Sequence, residues 1–277
     1  MWEFLKKGGM KLPNFLIVGA NKAGTTSLAY YCGQHPDIFM SAPIKEPMFF
    51  TSTKQGVPIS QATLDNPYFC FTLQDYMDLF AKADEPLRGE ASTAYLANPS
   101  CALWIKKVIP DARIIAILRN PVERAFSNYK MYHGNGVEKR TFPEAVAQEI
   151  EAGPGGLPHG QHYLSLGLYA SQLRVFKRYF PDERIFIGDF GRYNEDTAGF
   201  LQDIFRFLGA REFVPPDLRR LNTSAGHYHK KGQAPLLDRD LAARIAGYFE
   251  KDVTELQTMV GFDVMKWLEP SGETVAK

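Results

Sequence analysis

The run Phe15-Leu-Ile-Val18, the loop Gly19-Ala-Asn-Lys-Ala-Gly24 and the segment Thr25-Thr-Ser-Leu28 leave this chain few ways to fold. Four consecutive apolar residues make a strand buried on both faces, the kind found inside parallel sheets. The loop then feeds a helix, read over Thr25 to Gln34 and stopped by His35-Pro36. In such a strand–loop–helix unit, backbone N–H groups and the helix N-terminus form a cradle for an anion. The spacing Gly19-x-x-x-x-Gly24 fits a Walker A loop, but Thr25 stands where that motif requires lysine. The lysine lies inside the loop, at Lys22. A cradle with its cation relocated suits a phosphate-containing donor other than a nucleoside triphosphate.

The pattern returns at Ala112–Leu118, a continuous apolar strand that ends at Arg119-Asn120-Pro121 and continues as a helix over Val122–Met131. Further strands are read at Asp37–Met40 and Arg184–Gly188, and helices at 73–82, 99–108, 142–151, 168–179, 197–208 and 238–260. Alternating strands and helices predict an α/β fold, P-loop-like and three-layered (α/β/α), around a mostly parallel central sheet. No linker interrupts the 277 residues, so the expectation is one domain over 1–277 with an N-terminal extension at 1–13. Residues 133–166, rich in glycine around one helix, are expected as acceptor or lid loops.

A net charge of +1 argues against a nucleic-acid partner or a polybasic membrane surface. Three cysteines, Cys32, Cys70 and Cys101, lie far apart and form no C-x-x-C pair, which argues against a disulfide framework or a zinc site. The first residues lack the apolar core of a signal peptide, and no run reaches 18 apolar residues. The expected location is therefore the cytoplasm, with no membrane span. His227 and His229, and His159 and His162, have no acidic or cysteine partners at ligand spacing, so they read as loop histidines and no metal is expected.

Taken together, several segments resemble one family in order along the chain. The loop Asn21-Lys22-Ala23-Gly24-Thr25-Thr26-Ser27-Leu28 looks like the 5′-phosphosulfate loop of sulfotransferases that use 3′-phosphoadenosine-5′-phosphosulfate (PAPS). Ile114–Leu118 with Arg119-Asn120-Pro121-Val122-Glu123-Arg124-Ala125-Phe126-Ser127 resembles the same family's 3′-phosphate motif. Lys45-Glu46-Pro47-Met48-Phe49-Phe50, Gly167–Leu173, Lys230-Lys231-Gly232, Gly261-Phe262 and Trp267 are similar to segments of its Golgi, heparan-sulfate-type branch. The chain is identified as a soluble, bacterial-like member of that family.

The resemblance implies roles. Lys22 would sit on the oxygen bridging sulfur and the 5′-phosphate, and the amides of Ala23, Gly24, Thr25, Thr26 and Ser27, with the hydroxyls of Thr25, Thr26 and Ser27, would hold that phosphate. The competing reading makes Lys22 a surface lysine and Thr25 a helix N-cap. Arg119, at the end of a parallel strand, and Ser127, eight residues on, suit a phosphate monoester. An arginine capping the strand end through a carboxylate is the alternative. Arg124 reads as an exposed helix charge. Lys230, Lys231 and Gly232, within 219–236, would close over the donor, or else form a solvated charge run.

Glu46 stands in the register of the family's catalytic base, among Pro43, Pro47, Met48, Phe49 and Phe50; its alternative is a loop glutamate paired with Lys45. Met48 occupies a position where relatives often carry histidine or another polar residue, which removes a histidine relay there. Glu90 is the second carboxylate, and Ala91 beside it replaces a lysine common in the family, which weakens a polyanionic glycan as acceptor. Tyr169 is a core residue by type and a possible donor or acceptor contact by resemblance. The function implied is metal-independent in-line transfer of a sulfuryl group from PAPS, leaving adenosine 3′,5′-bisphosphate (PAP). The acceptor is a hydroxyl, or less readily an amine, on a small-molecule, carbohydrate or lipid acceptor. The competitors are a P-loop kinase or NTPase, disfavoured by the missing lysine after Gly24, and a non-catalytic PAPS- or PAP-binding protein.

Overall fold

Five strands pair in parallel throughout, in the order β2-β3-β1-β4-β5: β1 is Phe15–Gly19, β2 Ile38–Met40, β3 Leu87–Glu90, β4 Arg113–Leu118 and β5 Ile185–Asp189. The computed structural model describes residues 11–41, 44–51, 72–153, 162–221 and 237–269. The chain divides into two compact units, one of Met1–Ala20, Gly24–Leu118 and Gln172–Leu221, the other of Asn21–Ala23, Arg119–Ser171 and Asn222–Lys277.

The first unit contains the sheet. All five residues of β1 and the last five of β4 are buried, as expected for strands covered on both faces. Their register runs from Phe15 opposite Arg113 to Ile17 opposite Ile115, then shifts so that Gly19 faces Ala116. That irregularity ends the ladder where the loop begins. The sheet is flanked by α1 (Thr25–Cys32), α2 (Leu73–Asp78), α3 (Pro99–Val108), α7 (Phe190–Glu195) and α8 (Thr197–Leu208). In α8, Phe200, Leu201, Ile204, Phe205 and Leu208 are buried, a one-sided helical stripe. The turn between α1 and β2 is fixed by His35, whose ring lies edge-on to Phe205 and Phe213. Its Nδ1 accepts the Asp37 N–H at 3.0 Å, which leaves Nε2 to donate to the Arg211 carbonyl, also at 3.0 Å.

The second unit holds α4 (Pro121–Gly134), α5 (Phe142–Ala152), the start of α6 (Tyr169–Lys177) and α9 (Arg239–Gln257). Asn120 caps α4, its side chain accepting from the Val122 and Glu123 amides, and Pro121 occupies the first helical position, where no N–H is needed. The 133–166 segment is anchored rather than open over its described part: Phe142, Tyr163 and Leu164 are buried. The Glu149 carboxylate accepts from the amides of Tyr163, Leu164 and Ser165 and from the Ser165 hydroxyl. Asp252 of α9 accepts from the Ala170 and Ser171 amides at the head of α6.

Most elements fall where the sequence places them, with three differences. Strand β3 is not predicted, because Leu-Arg-Gly-Glu shows neither alternation nor an apolar run; it forms because neighbours pair with it on both sides. Helix α7 follows β5 directly, started by the Asp189 side chain accepting from the Gly191 and Arg192 amides. Helix α2 ends at Asp78, four residues early, and the chain continues in tight turns closed by Phe80 N–H to Met77 O and Ala83 N–H to Phe80 O. No helix among the described residues is long and apolar enough to cross a membrane.

Gly89 in β3 lies against the Phe15 ring of β1, and a Cβ there would sit 2.1 Å from Phe15 Cζ. Gly89→Ala is expected to destabilise the fold by about 1–3 kcal/mol, the usual cost of overpacking. A lowered urea midpoint with an unchanged m-value checks it; an unchanged midpoint would show that the sheet yields at this point.

Candidate active site

In the first unit the loop after β1 delivers Gly24 as the N-cap of α1, with φ 75° and no side-chain cap. Only glycine serves there. The backbone is left-handed, and a Cβ would lie 2.8 Å from the Tyr193 ring and 2.9 Å from that of Phe190. Thr25 is thus the first helical residue and not the cap. The opening turn of an α-helix carries N–H groups with no intrahelical acceptor, and at α1 these belong to Thr25, Thr26 and Ser27. Thr25 and Ser27 are buried. The Ser27 hydroxyl accepts from the Leu221 amide at 2.9 Å, tying the helix start to the chain just before residues 222–236.

In the second unit Lys22 adopts a left-handed backbone, φ 69°. For a residue with a Cβ this costs roughly 1–2 kcal/mol. The conformation is held from outside: Arg119 Nη1 donates to the Lys22 carbonyl at 3.2 Å. Lys22 Nζ lies 3.4 Å from Met131 Sδ on α4. The Arg119 guanidinium also reaches Glu123 one turn into α4, with Nε and Nη2 at 3.2 and 3.1 Å from one carboxylate oxygen. The alternative reading of Arg119, an arginine engaged by a carboxylate, therefore describes this structure. Tyr169 donates to the Arg119 carbonyl at 2.9 Å. Its ring is fully buried, and burial pushes its hydroxyl up to about 12 against the pull of Arg124 and Arg119. Ser127 is buried on α4, two turns from the Asn120 cap.

Arg124 is not an exposed helix charge. It is fully buried, and its Nη2 donates to the Tyr163 carbonyl. Its Nε and Nη1 have no hydrogen-bond partner among the described residues. Burial draws its guanidinium below the ordinary arginine value.

Both carboxylates of interest lie in the first unit, in different settings. Glu46 is part-exposed; its Oε1 is 2.6 Å from Lys45 Nζ, and its Oε2 accepts from the Thr93 hydroxyl at 3.1 Å. The pairing with Lys45 and an orientation by Thr93 thus coexist. Glu90 is fully buried at the end of β3. Its Oε1 accepts from the Tyr76 hydroxyl at 3.1 Å and its Oε2 from the Ser92 amide at 2.7 Å. Burial raises its carboxyl from 4.5 to about 7, opposed by the hydrogen bonds from Ser92, Tyr95 and Tyr76.

Lys230, Lys231 and Gly232 lie outside the described residues, as do Cys70, His159, His227 and His229. Among the described residues no cluster of three or more His, Cys, Asp or Glu could hold a metal ion. The supporting residues that sequence reasoning passed over are Glu123, Thr93, Ser92 and Asn120. An acid four residues after Arg119, and an Asn-Pro pair opening a helix, are legible signals for two of them. The hydroxyls of Ser92 and Thr93 carry no such signal, because their partners lie more than 40 residues away.

Residues 12–222 match the family model of the sulfotransferase domain. Over 219 residues the chain is 28% identical to the bifunctional heparan sulfate N-deacetylase/N-sulfotransferase 2 of Bos taurus, covering 74% of this chain and 23% of that protein. It is 24% identical over 277 residues to the human heparan sulfate glucosamine 3-O-sulfotransferase 3A1, covering 94% of this chain and 63% of that protein. The chain thus spans less than two thirds of either relative. The crystal structure of a sulfotransferase from Alicyclobacillus acidocaldarius superposes with a TM-score of 0.80 at 32% identity, over 93% of this chain and 99% of that one. Mouse sulfotransferase SULT7A1, solved in complex with PAP, shares the fold at 16% identity and a TM-score of 0.53, over 92% of this chain and 87% of that one.

The raised Glu90 value has a stability consequence. Between pH 4.5 and about 7 the unfolded chain ionises this carboxyl while the folded chain keeps it protonated. The group therefore favours folding fully below 4.5, and its contribution is lost as pH rises to about 7. Urea unfolding of the wild type and Glu90→Gln across this window should show the wild type losing stability relative to the variant. Parallel pH profiles would overturn the assignment.

Proposed function

The chain belongs to the sulfotransferase domain family, and we propose that it transfers a sulfuryl group from PAPS to an acceptor hydroxyl by direct in-line displacement. The carrying observation is the loop after β1, with a left-handed lysine two residues before a glycine-capped helix and no lysine behind that glycine. A Walker loop needs its cation in the helix to reach β- and γ-phosphates. A donor that parts with its group at the 5′-phosphate needs the cation at the leaving oxygen instead.

In the proposed reaction the acceptor oxygen attacks sulfur and the bond from sulfur to the bridging oxygen breaks. The electron pair of that bond stays on the 5′-phosphate of PAP. Lys22 offsets the charge growing on the bridging oxygen, and the amides of Ala23, Gly24, Thr25, Thr26 and Ser27 hold the 5′-phosphate. Glu46 takes the acceptor proton, its carboxylate oriented by Thr93. Arg119 and Ser127 bind the 3′-phosphate, with Lys230, Lys231 and Gly232 closing over it. Tyr169 contributes by fixing the Arg119 backbone, and Glu90, being buried, contributes from behind the reacting groups. The whole chain acts as one sulfotransferase domain.

Relatives named for heparan sulfate favour a carbohydrate acceptor, and the relative named a 3-O-sulfotransferase favours a hydroxyl on it. The ion pair on Lys45 and the alanine at position 91 favour an acceptor of low charge over a polyanion. Incubation with ³⁵S-labelled PAPS and a panel of neutral sugars, sulfated glycans, phenols and lipid alcohols tests both statements. Label transfer to a neutral sugar is the expected result. Transfer to none of the four, with PAP bound tightly, would leave a binding protein.

Lys22→Ala should lower turnover about 10²–10³-fold, the usual cost of a lost oxyanion donor, and near-normal turnover would remove it from the mechanism. Glu46→Gln should cost about 10²–10⁴-fold in kcat with donor affinity kept. Arg119→Ala should weaken PAP binding by about 1.5–3 kcal/mol. Since Arg119 also holds the Lys22 backbone, the deciding measurement compares PAP with adenosine 5′-phosphate: equal losses would assign the effect to the loop and not to the 3′-phosphate.

A further inference from the structure

Lys45, Glu46, Met48 and Phe50 are each hydrogen-bonded by a group on the short stretch that follows Glu90. The Ala91 amide donates to the Lys45 carbonyl at 3.1 Å. The Thr93 hydroxyl and amide donate to Glu46 Oε2 at 3.1 and 3.4 Å. The Ser92 hydroxyl accepts the Met48 amide at 3.0 Å, and the Tyr95 hydroxyl accepts the Phe50 amide at 3.4 Å. Met48 needs that support, because its backbone is left-handed with φ 54°. Phe49 stacks on Tyr76 at 4.5 Å, the same tyrosine whose hydroxyl donates to Glu90.

Glu90 is the post behind this frame. Its carboxyl grips the Ser92 amide on one oxygen and Tyr76 on the other, fixing both faces against which residues 45–50 rest. We propose that Glu90 is a positioning residue: through Ser92 and Tyr76 it sets the conformation of Ala91–Thr93 that orients the Glu46 carboxylate. The proposal rests on the reading of Glu46 as the base, and it assigns Glu90 no contact with donor or acceptor.

An aliphatic residue would not do the same work. The Ser92 N–H is buried behind β3, where an unmet donor costs about 1–3 kcal/mol, and a carboxylate is the strongest acceptor a side chain supplies. The titratable groups facing Glu90 are Tyr76 from α2, Tyr95 from the turn after β3 and Cys101 from α3; Lys45 and Glu46 lie on the segment they hold. Burial, then the charge of Glu90, pushes the Tyr95 hydroxyl and the Cys101 thiol up and keeps both neutral. Glu90 itself changes charge near pH 7, so the frame tightens as the carboxyl ionises and loosens as it is protonated.

Amide NMR spectra of the full chain, followed through neutral pH, test this without any acceptor. In the wild type the Ser92, Thr93 and Met48 amides should shift together with one midpoint near 7, and in Glu90→Gln that shared transition should vanish. Tyr76→Phe is the second variant, since it keeps the buried carboxyl. Losing a donor that favours the ionised form, it should move the shared midpoint upward. A transition confined to Ser92, one that survives in Glu90→Gln, or a midpoint unmoved in Tyr76→Phe would each overturn the proposal. The turnover of Glu46→Gln reads the other claim separately: full activity there removes Glu46 as base and leaves the coupling of Glu90 to Thr93 standing.

Discussion

The parallel pairing of β1 with β4 is the constraint on which the rest depends. Parallel strands release their following loops from the same edge of the sheet, so the chain after Gly19 and the chain after Leu118 both leave there. Each loop then starts a helix by a different device, a left-handed glycine in one and an Asn-Pro pair in the other. Within the second unit a hydrogen bond from Arg119 to the Lys22 carbonyl joins the two loops. That bond converts an unfavourable backbone conformation into a fixed one. The lysine side chain thereby gains a defined origin, and its Nζ rests against Met131 Sδ at 3.4 Å.

Carboxylates perform the corresponding service for backbone amides that have no backbone acceptor. Glu149 satisfies three consecutive amides and a hydroxyl, Asp252 two amides at a helix start, and Glu90 one amide and one tyrosine. All three answer the same accounting problem, since backbone N–H groups at helix starts and in irregular segments still need acceptors. They differ in saturation. Glu149 receives four donors; Glu90 receives fewer, and burial outweighs them and lifts its carboxyl to about 7.

The parts of the fold legible in the sequence are those whose signal is local. Phe15–Val18 and Ile114–Leu118 announce buried strands by composition, Pro99–Val108 and Thr197–Leu208 show their caps, and Lys22, Gly24 and Arg119 declare themselves by position at strand ends. What the sequence withheld is set by partners distant along the chain. Strand β3 contains Arg88 and Glu90 in four residues and becomes a strand only because β1 and β2 hydrogen-bond to it. Arg124 reads as a surface charge because nothing nearby in sequence forecasts that Tyr163 will cover it. Glu46 was found through resemblance, but the hydroxyl that orients it comes from a residue 47 positions away.

The ion pair between Arg119 and Glu123 bears on how a donor would enter under the proposed reading. A guanidinium already paired looks like an obstacle to binding a 3′-phosphate. The energetics point the other way. The two side chains retain 22% and 36% exposure, so water screens the pair, and such i,i+4 pairs are typically worth about 0.3–0.5 kcal/mol. A phosphate monoester offers more charge and more acceptor oxygens than one carboxylate and would win the exchange at small cost. Meanwhile the carboxylate keeps the guanidinium extended, while Nη1 stays on the Lys22 carbonyl. Under that reading Glu123 would be a placeholder, limiting the ordering cost of Arg119 on binding while Nη1 keeps its bond to the Lys22 carbonyl.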